Sequence, residues 1–335
     1  MRAALLALPL LVAAGASASL LGELTSPDPL SQPPCADGVE PELFFLWDSQ
    51  LENLAFDDAG NLVVVDLHGE RLVLLDGAGA QQAVLDLPAT HGIVHHPAEG
   101  RFYAAGLLPD GTGPTDVVSF RIADGEFTDL ATYAIGFDVV NGMAFGPDDA
   151  LYVSSPLAAQ APYLMRIEPG GGPWAPWRDH YGPNGLWPAD GGLYAAITGD
   201  QSSPIHHVPF DQAEPMETVA LLSTGAVTLQ PGLHAPSGPA ASPIVLPKGL
   251  DDLTMGPDGM LYATAHVTGE LLRVDPADGS ACVLADGFEE PTSARFAPAS
   301  FGLHGGDLFV TEMGGYAVTA LYGPGDGAVW RLDLA

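Results

Sequence analysis

The sequence is poor in positive charge. Ten Lys and Arg stand against 42 Asp and Glu in 335 residues, the formal net charge is −32, and Lys248 is the only lysine. Phosphate backbones are held by clustered Lys and Arg, so a nucleic-acid partner is excluded, and anionic membranes are disfavoured for the same reason. Cysteine is nearly absent too: Cys35 and Cys282 allow at most one intrachain bridge. Beyond the N-terminal residues no apolar run is long enough to span a membrane. The chain also lacks a Gly-x-Ser-x-Gly elbow, a His-Glu-x-x-His pair, a Walker loop and a Gly-x-Gly-x-x-Gly turn. Serine-hydrolase, zincin and nucleotide-binding readings therefore drop out.

What is present suits a large β protein. The chain is 47% hydrophobic with 41 Gly and 31 Pro, enough for a sizeable core built from many short strands and turns. Arg2 precedes the apolar run Ala3–Ala14 and the small-residue pattern Ala16-Ser17-Ala18. Residues 1–18 thus read as a secretory signal peptide cut near Ala18, and a secreted or periplasmic protein is expected. Residues 19–40, with Ser-Pro-Asp-Pro and Gln-Pro-Pro, read as a tether, and 41–335 as one domain. Export permits a Cys35–Cys282 disulfide, with two free thiols as the alternative. The acidity reads as solubility and attraction of cations, or as a mark of a salty habitat.

One phrase recurs. Glu52-Asn-Leu-Ala-Phe-Asp-Asp-Ala-Gly-Asn-Leu-Val63, Asn141-Gly-Met-Ala-Phe-Gly-Pro-Asp-Asp-Ala-Leu-Tyr152 and Asp251-Asp-Leu-Thr-Met-Gly-Pro-Asp-Gly-Met-Leu-Tyr262 share one strand–turn–strand layout, with 11 positions from head to apolar partner (63−52, 152−141, 262−251). Fainter copies open at His91, Asn184 and Thr292, so the steps between heads are 39, 50, 43, 67 and 41. Steps of this size correspond to four-stranded propeller blades. Third strands are expected at Leu72–Leu75, Val117–Phe120, Leu164–Ile167 and Leu271–Val274, and an outer strand at Ala281–Leu284. The long step holds Ser223–Lys248, a Pro-, Gly- and Ala-rich loop on one face. The expected fold is an all-β, six-bladed β-propeller, closed by an N-terminal strand, Glu42–Trp47, pairing with the final segment Val329–Asp333.

In a propeller the first strand of each blade lines a central channel, so the heads Glu52, His91, Asn141, Asn184, Asp251 and Thr292 share one end of it. Carboxylates, amide oxygens and a hydroxyl around one axis suit a hard cation, above all Ca²⁺, with Zn²⁺, Mn²⁺ or Mg²⁺ as alternatives. Glu52 and Asp251 together carry the two charges that neutralise a divalent ion. The metal set expected is Glu52, Asn141, Asn184 and Asp251, with Asp252 as a further candidate that strand alternation turns away. Polar groups bridged by water are the blander alternative.

These phrases resemble the regucalcin/gluconolactonase/luciferin-regenerating family, six-bladed propellers with a divalent cation at the channel mouth. The resemblance implies that Glu52, Asn141 and Asp251 ligate the metal and that Asp251 serves as general base. It also implies an Arg and an Asn in the second and third blades that hold sugar hydroxyls. Gly111-Thr-Gly-Pro-Thr-Asp116 shows no such pattern, so a sugar lactone is not the expected substrate.

The expected chemistry is attack of water on a lactone or small-ester carbonyl, with Asp251 and His91 as candidate catalytic bases. His91 is chemically the better base if it does not ligate, since a ligating carboxylate loses basicity. A channel histidine held by hydrogen bonds is its structural alternative. His95-His96 and His206-His207 are candidate zinc pairs set against surface or packing roles, and Trp174, Trp177 and Trp187 are candidates for a ligand face or for blade packing. The partner expected is a small molecule and the protein a monomer. The other function class is a non-catalytic binding module with a structural ion.

Overall fold

Runs of branched and apolar residues, cut by Asp-Gly, Ala-Gly and Pro-Asp turns, can bury both faces only by stacking sheet on sheet. The computed structural model describes residues 32–109, 111, 114–156, 163–200, 202–222, 226–227, 244–245, 248–314 and 326–334. The segment read as a signal peptide, most of that read as a tether and most of the expected Ser223–Lys248 loop lie outside the described residues.

Six four-stranded antiparallel sheets form the six blades of a β-propeller. Blade 1 runs Leu51–Phe56, Leu62–Asp66, Arg71–Leu75 and Gln81–Asp86, from the axis outwards. Blade 2 is Ile93–His96, Arg101–Gly106, Thr115–Ala123 and Glu126–Phe137; blade 3 is Met143–Phe145, Leu151–Ser154, Leu164–Ile167 and Trp174–Arg178. Blade 4 is Pro183–Ala189, Gly192–Ile197, Pro204–Pro209 and Glu217–Leu221, and blade 5 is Leu250–Met255, Leu261–Ala265, Glu270–Val274 and Ala281–Asp286. The third strands expected from the sequence fall inside these bounds. Between blades 4 and 5, Ala226–Val227 pairs with Ile244–Val245.

Blade 6 closes the ring as expected. Its first three strands, Pro291–Phe296, Leu308–Glu312 and Gly327–Leu332, come from the C-terminal end, and its outermost, Glu42–Trp47, comes from the N-terminal side. Glu42 stands opposite Arg331 and Trp47 opposite Gly327. A buried clasp locks this strand to blade 1: Asp66 accepts from Trp47 Nε1 at 2.7 Å, Ser49 Oγ at 2.6 Å and Arg71 Nε at 2.6 Å. Cys35 and Cys282 are disulfide-bonded, with Cα atoms 5.0 Å apart. Beside the bridge, Pro34 pairs in parallel with Val283, so the N-terminal segment lies along the outer edge of blade 5.

The core lies between blades rather than within them. One apolar cluster joins Val63, Val65, Leu72 and Leu74 of blade 1 to Ile93, Phe102, Val118 and Phe120 of blade 2. Each such side chain, fully buried, contributes about 1.5–3 kcal/mol. Among the described residues no helix is long and apolar enough to cross a membrane.

What positions the site is a bulge at the head of the innermost strands. In blade 1, Leu51 pairs with Asp66 but Leu54 with Val64, so Glu52 and Asn53 together oppose Val65 alone. In blade 4, Asn184 and Gly185 oppose Ala196, and in blade 5, Asp251 and Asp252 oppose Thr264. Two residues facing one re-aims both side chains, so simple alternation fails there.

Candidate functional site

The four expected ligands meet at one end of the channel. Glu52, Asn141, Asn184 and Asp251 are only 3–8% exposed. Asn141 donates through Nδ2 to Glu52 Oε1 at 3.3 Å, and Asn184 donates through Nδ2 to Asp251 Oδ1. Neighbouring innermost strands come close enough to allow this. A Cβ on Gly92 would lie 1.8 Å from the Asn141 carbonyl oxygen, and one on Gly142 would lie 1.9 Å from that of Asn184. Only glycine fits behind these heads.

Hydroxyls on or just after the second strands fix the backbone that carries the ring. Ser154 Oγ donates to the Asn184 carbonyl at 2.6 Å, Thr198 Oγ1 to that of Leu250 at 2.6 Å, and Thr264 Oγ1 to that of Thr292 at 3.0 Å. Thr311 Oγ1 donates to the Glu52 carbonyl at 2.5 Å. Each blade from 3 to 6 thus grips the next one at the level of the site.

The electrostatics are unbalanced. Burial pushes the Glu52 carboxyl up to about 7, with Asp252 raising it further and the Asn141 hydrogen bond opposing. Asp251 is raised well above the usual carboxylate range, first by burial, then by the charges of Glu52 and Asp252, against the Asn184 bond. Among the described residues no lysine or arginine pairs with either group. Lys248 is taken by Glu270 and Arg295 by Asp252. Two buried oxygens, Glu52 Oε2 and Asn184 Oδ1, have no hydrogen-bond partner. Orphaned buried polar atoms in a native site call for an occupant. Two carboxylates and two amides are oxygen donors of the kind a hard divalent cation takes, so these four residues could hold one. Among the described residues no three His, Cys, Asp or Glu stand together in metal-holding geometry.

The other heads behave differently. His91 adjoins the ring through its main chain, its carbonyl accepting from Asn53 Nδ2 at 3.2 Å. Its ring Nδ1 faces the Ala89 carbonyl at 3.3 Å, and burial lowers its pKa, opposed by that bond. Thr292 turns sideways and donates to the Glu52 carbonyl at 2.7 Å, joining blade 6 to blade 1. Asp252 lies one level deeper in the channel, where Leu253 N donates to Oδ1 at 2.8 Å and Ser293 Oγ and Arg295 Nη1 engage Oδ2, the latter at 2.6 Å. Both of its oxygens are engaged by protein groups, unlike Glu52 Oε2.

Two site residues escaped the sequence reading. Asn53 Nδ2 reaches Asn141 Oδ1 at 3.1 Å, and His266 Nδ1 stands 3.5 Å from Asp251 Oδ2 without forming a hydrogen bond. Burial lowers the His266 pKa, and Glu290 opposes this. His266 follows directly on a second strand that ends beside a ligand-bearing head, which is the signal that would have found it. Among the described residues the paired histidines join no metal-holding group: His95 packs on Phe102, His96 on Phe145, His206 on His180, and His207 Nε2 meets the Asp190 carbonyl at 3.2 Å. Trp174 and Trp177 pack against Phe137 and Tyr152.

Solved structures share this architecture. A gluconolactonase from Xanthomonas campestris aligns at a TM-score of 0.58 and 18% identity over 92% of this chain and 99% of that one. A calcium-binding protein, regucalcin, from Agrobacterium tumefaciens aligns at 0.57 and 16% over 90% and 95%. The PQQ-bound aldose sugar dehydrogenase of Streptomyces coelicolor aligns at 0.58 and 16% over 90% and 100%. The likeness is one of fold. It agrees with the family resemblance carried by the three recurring phrases, and it spans proteins of unlike chemistry. No family model and no curated protein matches the chain.

Proposed function

We propose that the chain is an exported, divalent-cation-dependent hydrolase of a lactone or other small ester. The observation that carries this is the pair of buried carboxylates, Glu52 and Asp251, facing one another without a counter-charge and beside two orphaned oxygens. Glu52, Asp251, Asn141 and Asn184 are the residues that would hold the ion, and Ca²⁺ suits their all-oxygen set best. When bound, a divalent ion supplies polarisation of the ester carbonyl.

The chain's own groups then divide the work. Asn141 and Asn184 orient the two carboxylates. Water adds to the carbonyl carbon as its proton passes to a base. The carbon–oxygen bond to the alkoxy oxygen breaks, and that oxygen takes the proton, giving a carboxylic acid and an alcohol. His91 suits the base. The Ala89 carbonyl can only accept, so the ring hydrogen sits on Nδ1 and the lone pair on Nε2, and the lowered pKa keeps the ring neutral at neutral pH. Asp251 is the second candidate, with the basicity a bound cation leaves it.

The Cys35–Cys282 bridge supports export, because oxidising compartments preserve disulfides. The Xanthomonas protein that shares the fold is a gluconolactonase, which supports the lactone class. A binding module with a structural ion is favoured by one feature, the missing Arg and Asn pattern in Gly111–Asp116. Metal content of the purified protein, with turnover of a lactone and aryl-ester panel before and after chelation, decides. One tight ion with chelator-sensitive turnover supports the hydrolase; a tight ion with no turnover on any ester leaves the binding module; no ion overturns both.

A further inference from the structure

Below the ring of ligands lies a third buried carboxylate whose charge is handled differently. Asp252 is 3% exposed and sits next to Asp251 in the same bulge. Unlike Glu52 and Asp251, it is fully answered: Leu253 N, Ser293 Oγ and Arg295 Nη1 take up its two oxygens. Arg295 is itself held in place. Its Nη1 also donates to the Leu253 carbonyl at 3.2 Å and the Ala294 carbonyl at 2.7 Å, and its guanidinium lies over the Trp187 ring, 5.4 Å from the centroid. Its side chain is 13% exposed, so solvent screens the pair little.

Without Arg295 the channel would present three carboxylates to an ion. With it, the count of uncompensated charges is two. We propose that Arg295, through Asp252, sets the charge of the ion the channel accepts, holding the site to divalent cations against trivalent ones. Arg295 is a positioning and selectivity residue in this scheme and touches neither ion nor substrate. The proposal rests on the cation reading given above. Asp252 adjoins Asp251 in the same bulge, so whatever charge Arg295 leaves on it acts on the ring at close range. A planar guanidinium that meets Asp252 through Nη1 while lying over Trp187 is a task for arginine rather than lysine.

The test compares Ca²⁺ with Tb³⁺ by calorimetric titration of the full-length mature protein, so no turnover is needed. Three variants are used, Asp252→Asn, Arg295→Met and the double substitution, each checked by thermal melting. Coulomb energy scales with ion charge, so a change of about tenfold for Ca²⁺ corresponds to about thirtyfold for Tb³⁺. Asp252→Asn leaves Arg295 uncompensated and is expected to weaken Ca²⁺ about tenfold or more and Tb³⁺ by the larger factor. Arg295→Met is expected to move both affinities the other way, and the double variant to return within about threefold of wild type.

If Arg295→Met fails to fold, Asp252→Asn alone carries the test in the opposite direction. Wild-type binding of Ca²⁺ with an unchanged Tb³⁺ to Ca²⁺ ratio in the folded variants overturns this proposal and leaves the cation reading intact. Failure of the wild type to bind either ion overturns both.

Discussion

The two ends of the channel are lined by the same six strands, only a few residues apart, yet they handle charge in opposite ways. At one end, among the described residues, Glu52 and Asp251 are buried with no lysine or arginine beside them, and Glu52 Oε2 and Asn184 Oδ1 lack partners. Towards the other, Asp252 is saturated by Ser293, Leu253 and Arg295, and Trp187 covers the guanidinium. That side holds a cavity of about 230 Å³ lined by aromatic residues, among them Phe56, Trp187 and Phe296, together with Arg295, Asp57 and Asp58. One buried carboxylate is paired while two others are not, and this contrast is what supports the proposed ligand site at the unbalanced end.

The largest effect should come from the unbalanced end. Asp251→Asn is expected to fold, to lose the bound ion and to lower kcat/KM for a turned-over ester by about 10²–10³-fold. Steady-state kinetics with metal analysis on the same sample checks this, and a variant with full turnover and a retained ion would break the contrast between the ends.

Removal of the ion should destabilise next. At a free concentration a thousandfold above Kd, a bound ion adds about 4 kcal/mol to stability, so chelation should lower Tm by several degrees. Differential scanning calorimetry with and without chelator measures it.

The ion-free protein should also depend on pH. Glu52 moves from 4.5 in the unfolded chain to about 7 in the fold. Its folded pKa is raised, so between these values the native state holds more protons than the unfolded one. Stability therefore falls as pH rises through this window, by on the order of 3 kcal/mol. Melting curves of chelated protein from pH 5 to 8 should show the fall, and Ca²⁺-loaded protein should not. A flat profile in both would mean that the two carboxylates are better solvated than their burial implies.

The smallest effect belongs to the balanced end. Trp187→Phe weakens the stacking on Arg295 and should cost about 0.5–1 kcal/mol in urea unfolding, with turnover unchanged. A loss of turnover as large as that of Asp251→Asn would join the two ends into one site.

Much of this was legible beforehand because a propeller repeats itself. Head residue, small-apolar strand, a turn rich in Asp, Gly and Pro, and second strand recur at one spacing in three copies, so a single phrase pointed to the blades and the polar heads. Thr292 shows the limit of such counting. It occupies a head position, yet its hydroxyl is spent on the Glu52 carbonyl, because blade 6 must be joined to blade 1. His266 was invisible because it lies outside the phrase and reaches Asp251 only when the end of the second strand folds back beside the first.

By itself the sequence determined the all-β blade architecture, the closing strand and the set of oxygen-bearing heads, since each follows from local periodicity and turn chemistry. Only the tertiary structure tells apart the surroundings of Asp251 and Asp252. The bulge turns both adjacent carboxylates inward, and Arg295, 43 positions beyond Asp252 (295−252), neutralises one of them. Which carboxylate keeps its charge is a matter of what stands across the channel, and strand alternation carries no information about that.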